Sequence, residues 1–225
     1  MDKRTVRNIM NREKLLMDIF TAMKNTFGSS NWWPADSAFE VMVGAVLTQN
    51  TNWKNVEKAI QNLKQHNLLT PQVMLGLSQD ELAGHIRPAG YYNVKAKRLQ
   101  NLLCWFNDTA SCSFSALDHL SIDELRAELL AVNGIGQETA DSILLYAFER
   151  PSFVVDAYTR RIFHRHSLIE EDIYYEDLRD YFMDVLPHDT QLFNEYHAFI
   201  VHVAKKWCLK KKTHCETCPL RIFLE

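Results

Sequence analysis

Glycine and proline are scarce in this chain: 7 Gly and 6 Pro among 225 residues, where average usage would give about 12% of such breakers. An all-β sandwich needs a turn every 8–12 residues or so, which so few breakers cannot supply. Low-complexity or disordered character is excluded from another side, because 47% of the chain is apolar and 24% charged. An all-α fold follows. The apolar spacing agrees: Leu16, Ile19, Phe20 and Met23 (with Ile9 before them) form a helix-period face, and Phe39, Met42, Val43, Val46 and Leu47 form a second. Thr70-Pro71 reads as a cap with Pro at the first helical position. Ser78-x-x-Glu81 and Ser121-x-x-Glu124 match the capping box, and short helices continue to about residue 148. Residues 165–175 and 209–219 read as loops.

The net charge of −3 and pI near 6.3 argue against an indiscriminate nucleic-acid binder. They do not exclude a local basic footprint. Base concentrates at Lys95, Lys97 and Arg98, at Arg160-Arg161 and from Lys205 to Lys212, although a single basic run is also the ordinary composition of a solvated helix face. No stretch reaches the roughly 18 apolar residues of a membrane span. No apolar segment follows the early charges as in a signal peptide. The expected setting is a bacterial cytoplasm, near the nucleoid, with no membrane partner.

The most informative segment runs Leu130-Ala-Val-Asn-Gly-Ile-Gly-Gln-Glu-Thr-Ala140. One helix ends at Gly134, Ile135 intervenes, and Gly136 opens the next. Two glycines so close permit a tight turn and a close approach to another surface. The N–H groups beyond Gly136, from Gln137 on, sit at a helix N-terminus suited to a phosphate oxygen. An ordinary glycine cap between two helices is the plainer reading of the same residues. Just past the second helix, Val154-Val-Asp-Ala-Tyr-Thr-Arg-Arg161 presents Asp156, which also reads as a helix cap.

Taken together, the hairpin and the aspartate resemble the helix-hairpin-helix, Gly/Pro-rich loop and Asp arrangement of the endonuclease III superfamily of DNA glycosylases. Leu47-Thr-Gln-Asn-Thr51 looks like that family's loop carrying a Gln into damaged duplex, and Gly90-x-Tyr92-x-x-Lys95-Ala96 looks like a further family segment. The resemblance covers roughly residues 30 to 218, in the right order. Within the superfamily the chain is most similar to the 3-methyladenine DNA glycosylase branch on the endonuclease III scaffold, through Trp32-Trp33-Pro34, Gly44 to Thr51 with Trp53, and Gly134 to Glu138.

The resemblance implies a two-lobed helical fold. Residues 30–150 would form a barrel lobe containing the hairpin. Residues 1–29 and 151–225 would form a second lobe bearing the catalytic aspartate and the Cys-rich tail. It also implies a partner, double-stranded DNA containing a damaged base, bound by a monomer. In endonuclease III a hairpin Lys attacks the sugar as a Schiff-base nucleophile; the matching position here is Glu138, and no lysine occurs from 99 to 204. A carboxylate forms no imine, so hydrolysis of the N-glycosidic bond without strand cleavage is expected. Asp156 would be the catalytic residue, stabilising developing sugar charge and orienting a water.

A flipped cationic purine needs aromatic walls. Trp32, Trp33 and Trp53, with Glu138, are the candidate pocket, although three tryptophans beside an apolar helix could equally be core. Gln49, Asn50, Gly134, Ile135, Gly136, Gln137 and Lys97 are the expected DNA contacts. The alternatives are a bifunctional glycosylase/AP lyase for oxidised pyrimidines and a non-catalytic helix-hairpin-helix DNA-binding protein.

Five cysteines are present, three of them close together. Cys208-x6-Cys215-x2-Cys218 matches the first three spacings of the family's iron–sulfur motif, but Leu224 stands where the fourth ligand belongs. A [4Fe–4S] cluster completed by His214, Glu225, Cys104 or Cys112, a zinc ion, and no metal at all are the readings left open.

Overall fold

The computed structural model describes residues 3–30 and 32–224, the side chains of residues 3–10 excepted. Asn31, Glu225 and the Ile9 side chain lie outside the described residues. The fold is all-helical, as the paucity of breakers requires. The only β contact among the described residues is an isolated bridge between Cys208 and Thr213. Among the described residues no helix is long and apolar enough to cross a membrane.

The chain divides into two compact units, one from Met1–Trp32 with Pro151–Glu225 and one from Trp33–Arg150. The first contains α1 (Lys3–Phe27), and the second contains α2 (Ala38–Leu47), α3 (Trp53–Gln65), α4 (Pro71–Leu75), α5 (Gln79–His85), α6 (Tyr92–Ala110), α7 (Ile122–Ala131) and α8 (Gln137–Tyr146). The chain then returns to the first unit with α9 (Ala157–Arg165), α10 (Tyr175–Met183) and α11 (Thr190–Lys206).

In the second unit α2 is the central rod, with every residue from Phe39 to Leu47 buried. Its N-terminus is fixed by Ser37, whose Oγ accepts from the Glu40 amide at 3.1 Å. Both expected capping boxes form, at Ser78 with Glu81 and at Ser121 with Glu124. Thr70 precedes Pro71 without a side-chain cap bond, so Pro71 itself sets that helix start.

In the first unit α11 plays the central part. Phe193, Tyr196, Phe199 and Ile200 are all fully enclosed, and Tyr196 donates its hydroxyl to the Leu16 carbonyl of α1 at 2.9 Å. Lys24 of α1 pairs with the buried Glu195 of α11 at 2.9 Å. The β-branched stub Val154-Val155 forms no strand. It is a buried entry to α9, with Phe153 stacked on Phe182 at 4.0 Å between ring centroids.

Candidate functional site

The hairpin is stiffened before it can present anything. Arg126 of α7 grips Asp141 of α8 with two parallel bonds, Nε to Oδ1 at 2.8 Å and Nη2 to Oδ2 at 3.1 Å, and Asp141 is fully enclosed. Between the helices Gly134 has φ +99°, and a Cβ there would lie 2.3 Å from Cγ of Arg98. The position therefore needs glycine for its backbone and for the side chain laid across it. Gly136 precedes α8 in extended conformation with no capping side chain, and a Cβ there would meet open space. The first-turn amides of α8 are thus placed at an exposed helix start. Glu138 is exposed in that turn and Gln137 half-buried. Ile135, grouped on sequence with the DNA contacts, is only 5% exposed. Its side chain is a core anchor, so any contribution to binding is left to its backbone.

The 48–51 loop is bound to this hairpin through Gln49. Its Nε2 donates to the Gly134 carbonyl at 3.1 Å and to Thr139 Oγ1 at 2.9 Å, and its Oε1 accepts from Arg98 Nη1. Gln49 would have to exchange these bonds to reach into a duplex. Asn50, next along, stands exposed at φ +52°, a left-handed conformation asparagine tolerates better than most residues.

Tyr91 was not singled out by the sequence reading. It is 72% exposed at φ +47° and stands at the N-cap of α6 without a side-chain cap bond. A bulky residue in that region is strained, and strain concentrates where a structure over-determines it. The Gly90-Tyr91 pair was the available signal. Lys97 is exposed on α6, whereas Lys95 is buried, its Nζ donating to the carbonyls of Leu47 at 2.7 Å and Ala89 at 2.9 Å.

The three tryptophans do not gather in one unit. Trp33 meets Trp53 edge to face, 5.2 Å between centroids, and lies tilted against Tyr146 at 5.0 Å. Gly44 makes room, since a Cβ there would sit 3.3 Å from Cζ2 of Trp33. Trp33, Trp53 and Tyr146 all belong to the second unit. Trp32 packs instead in the first unit, edge-on to His197 at 6.4 Å and His202 at 5.6 Å.

Asp156 caps α9, as one of its two sequence readings has it. Oδ1 accepts from the Thr159 amide at 2.7 Å and from its hydroxyl at 3.0 Å. Oδ2 lies 3.5 Å from Nε2 of His197 on α11, and 12% of the Asp156 side chain remains accessible. Burial alone would push this carboxyl up. The His197 hydrogen bond and charge, and then the Thr159 donors, outweigh it and hold the group below the ordinary carboxylate value. His197, only 6% exposed, is a further residue the sequence did not flag. It lies on an apolar helix face with nothing local to distinguish it.

Among the described residues the donors do not fit an iron–sulfur cluster. Leu224 offers no ligand, and no three or more His, Cys, Asp or Glu side chains are placed to hold a metal ion among the described residues. His214, Cys104 and Cys112 are among those described residues, whereas Glu225 is not. Burial pushes the Cys218 thiol up; the Leu220 amide opposes this and the neighbouring Cys215 and Cys208 add to it. Arginines brace the loop instead. Arg165 Nη1 donates to Cys208 Sγ at 3.2 Å and to the Leu209 carbonyl at 2.8 Å, and Arg161 Nε donates to the Cys208 carbonyl at 2.9 Å.

Comparison with known proteins decides the family. Residues 43–188 match the family described as HhH-GPD superfamily base excision DNA repair protein. This chain is a member of the HhH-GPD superfamily. A provisionally named DNA repair glycosylase of Methanocaldococcus jannaschii is 47% identical over 217 residues, covering 95% of this chain and 97% of that protein. Endonuclease III of Sulfolobus acidocaldarius is 30% identical over 82% of this chain and 80% of its own length. Among solved HhH-GPD structures, H. pylori 3-methyladenine DNA glycosylase bound to 1,N6-ethenoadenine matches with a TM-score of 0.74 at 29% identity, covering 85% of this chain and 97% of that one. An endonuclease III–DNA complex matches at 0.79 and 21% identity, over 95% of each chain, a likeness of fold. The protein is thus a base-excision-repair DNA glycosylase of the HhH-GPD type.

Proposed function

We propose that this glycosylase is monofunctional: it hydrolyses the N-glycosidic bond of alkylated purines in double-stranded DNA, acting as a monomer, and leaves the strand intact. The observation that carries the reading is Glu138 in the hairpin turn where an imine-forming lysine would stand, with no lysine from 99 to 204. Lys95 is no substitute. Its amine is held down to about 8, a value that would suit a nucleophile, but it is 1% exposed and its Nζ is committed to two carbonyls.

Asp156 carries the chemistry in this reading. Its Oδ1 is committed to the cap and its Oδ2 has lone pairs to spare. As the C1′–N bond breaks, the bonding electrons leave with the base and positive charge grows on the sugar near an ionised carboxylate. Water adds to C1′ and its proton passes to that carboxylate. An N-alkylated purine becomes neutral by departing, so no general acid is required at the leaving group. Trp33, Trp53 and Tyr146 supply the aromatic surface for a cationic base. Trp33 and Trp53 touch each other, so a base between them would have to spread the pair. Asn50, Tyr91, Lys97 and the amides after Gly136 are the proposed duplex contacts, positioned by Gln49 and Arg98. The 3-methyladenine glycosylase among the structural relatives supports the substrate class.

The test is base release from methylated duplex set against oxidised-pyrimidine duplex, with borohydride present in parallel reactions. Release of alkylpurine with an unbroken strand and no trapped complex is expected. A borohydride-trapped protein–DNA adduct, or strand scission on the oxidised substrate, would establish the bifunctional alternative instead.

A further inference from the structure

Lys95 is 1% exposed and has no carboxylate partner among the described residues, a costly arrangement for an ammonium group. What it holds explains its retention. Leu47 ends α2, so its carbonyl is one of the unpaired acceptors at the negative end of that helix. Ala89 ends the 3₁₀ turn Arg87–Ala89. Each carbonyl lies just before a surface residue in left-handed conformation, Asn50 at φ +52° and Tyr91 at φ +47°. One buried cation therefore grips the roots of two exposed tips from different elements. Arg98, one turn further along α6, is the charged group acting on it, and that arginine holds Oε1 of Gln49 in the first of the two loops.

We infer that Lys95 is a positioning residue that couples the 48–51 loop to the Gly90-Tyr91 turn, so that Asn50 and Tyr91 are presented as one surface. That this surface meets DNA rests on the function proposed above; the coupling itself does not. The coupling has a pH signature. Burial first, and then the Arg98 charge, bring the Lys95 amine from its ordinary 10.5 to about 8. Above that pH the neutral amine still donates its hydrogen bonds and no longer carries the cost of a buried charge, so an opening that returns it to water becomes harder and the two loops tighten together. Global stability moves the same way. Between about 8 and 10.5 the unfolded chain binds a proton that the folded chain lacks, so this group's contribution to stability rises with pH.

Hydrogen exchange tests the coupling. The reporters are the amides of Gln49, Thr51 and Gly90, which donate to Val46, Thr48 and Arg87 carbonyls, with rates corrected for their intrinsic pH dependence. At neutral pH, Lys95→Met should accelerate all three together by about tenfold and leave α11 unchanged. Lys95→Gln, which keeps an amide donor, should lose less. In the wild type all three should slow as the pH passes about 8, and this dependence should vanish in Lys95→Met. Should that variant fail to fold, the wild-type series and Lys95→Gln still decide. Response in one loop alone, in neither, or a pH dependence that survives in Lys95→Met would overturn the coupling. Affinity for a duplex containing a tetrahydrofuran abasic site is measured beside it. Coupled exchange in a protein that ignores this duplex would uphold the coupling and overturn the proposed duplex contact by this surface.

Discussion

Asp156 and Lys95 are both charges removed from water at the end of a helix, one in each unit, and each has the sign that the helix dipole favours there. Their surroundings differ in what they leave over. Asp156 commits one oxygen to Thr159, faces His197 with the other, and keeps 12% of its side chain accessible. Lys95 is 1% exposed and directs its Nζ at two backbone carbonyls of its own unit. Burial perturbs both groups, so a perturbed pKa does not by itself mark a reactive residue. The unspent atom does. A charge with a spare oxygen and an opening can act on a ligand, whereas a charge enclosed by carbonyls can only hold its own fold.

The largest effect expected from this contrast is at Asp156. Asp156→Asn keeps a good helix cap, so the thermal midpoint should fall only by what the charge contact with His197 contributes, while base release falls about 10²–10³-fold. Undiminished release in that variant would remove the distinction between the two charges. In the other unit, Gly134→Ala should cost about 1–3 kcal/mol in chemical denaturation, because φ is +99° and the new Cβ would meet Arg98. The damage should extend to duplex affinity through the Arg98–Gln49 bond.

His197→Phe probes the acidic side alone. With the His197 donor gone, burial, the largest influence on Asp156, prevails and raises its pKa. The acid limb of the kcat/KM profile should then move to higher pH, with His197→Gln returning part of the way. The sign for stability is parallel. A carboxylate held below its ordinary value contributes stability that is complete above the unfolded pKa and is lost as pH falls through the folded one. The wild type should therefore resist acid better than His197→Phe in pH-dependent melting. Smallest of all, Cys215→Ser should change stability by about 0.5 kcal/mol or less, and a chelator should leave the melting curve in place, since arginines brace that loop.

Several features were legible because they are local. The capping boxes at Ser78 and Ser121 and the Gly134–Gly136 turn depend on residues three or four apart, so spacing alone encodes them. Asp156 was legible as a cap, since it stands just before the helix that follows. Neighbours in sequence misled in other places. Trp32 and Trp33 are consecutive, yet one packs with His197 and the other with Trp53. Ile135 shares the hairpin with two glycines but turns into the core. Lys95 and Lys97 share one basic run, and two residues along a helix they fall on different faces. One is sealed and the other is solvated.

By itself the sequence determined an all-helical chain, the places where its helices begin, the hairpin and its missing amine, and the family. Those follow from short-range backbone chemistry and from residue identity, which need no knowledge of packing. The tertiary structure decided which side chains are spent and which are left to act: His197 against Asp156, Arg98 across Gly134, Lys95 beneath two loops, and arginines bracing the cysteine loop. Each joins residues far apart along the chain, and such pairs are chosen by how helices pack, a choice no local spacing records.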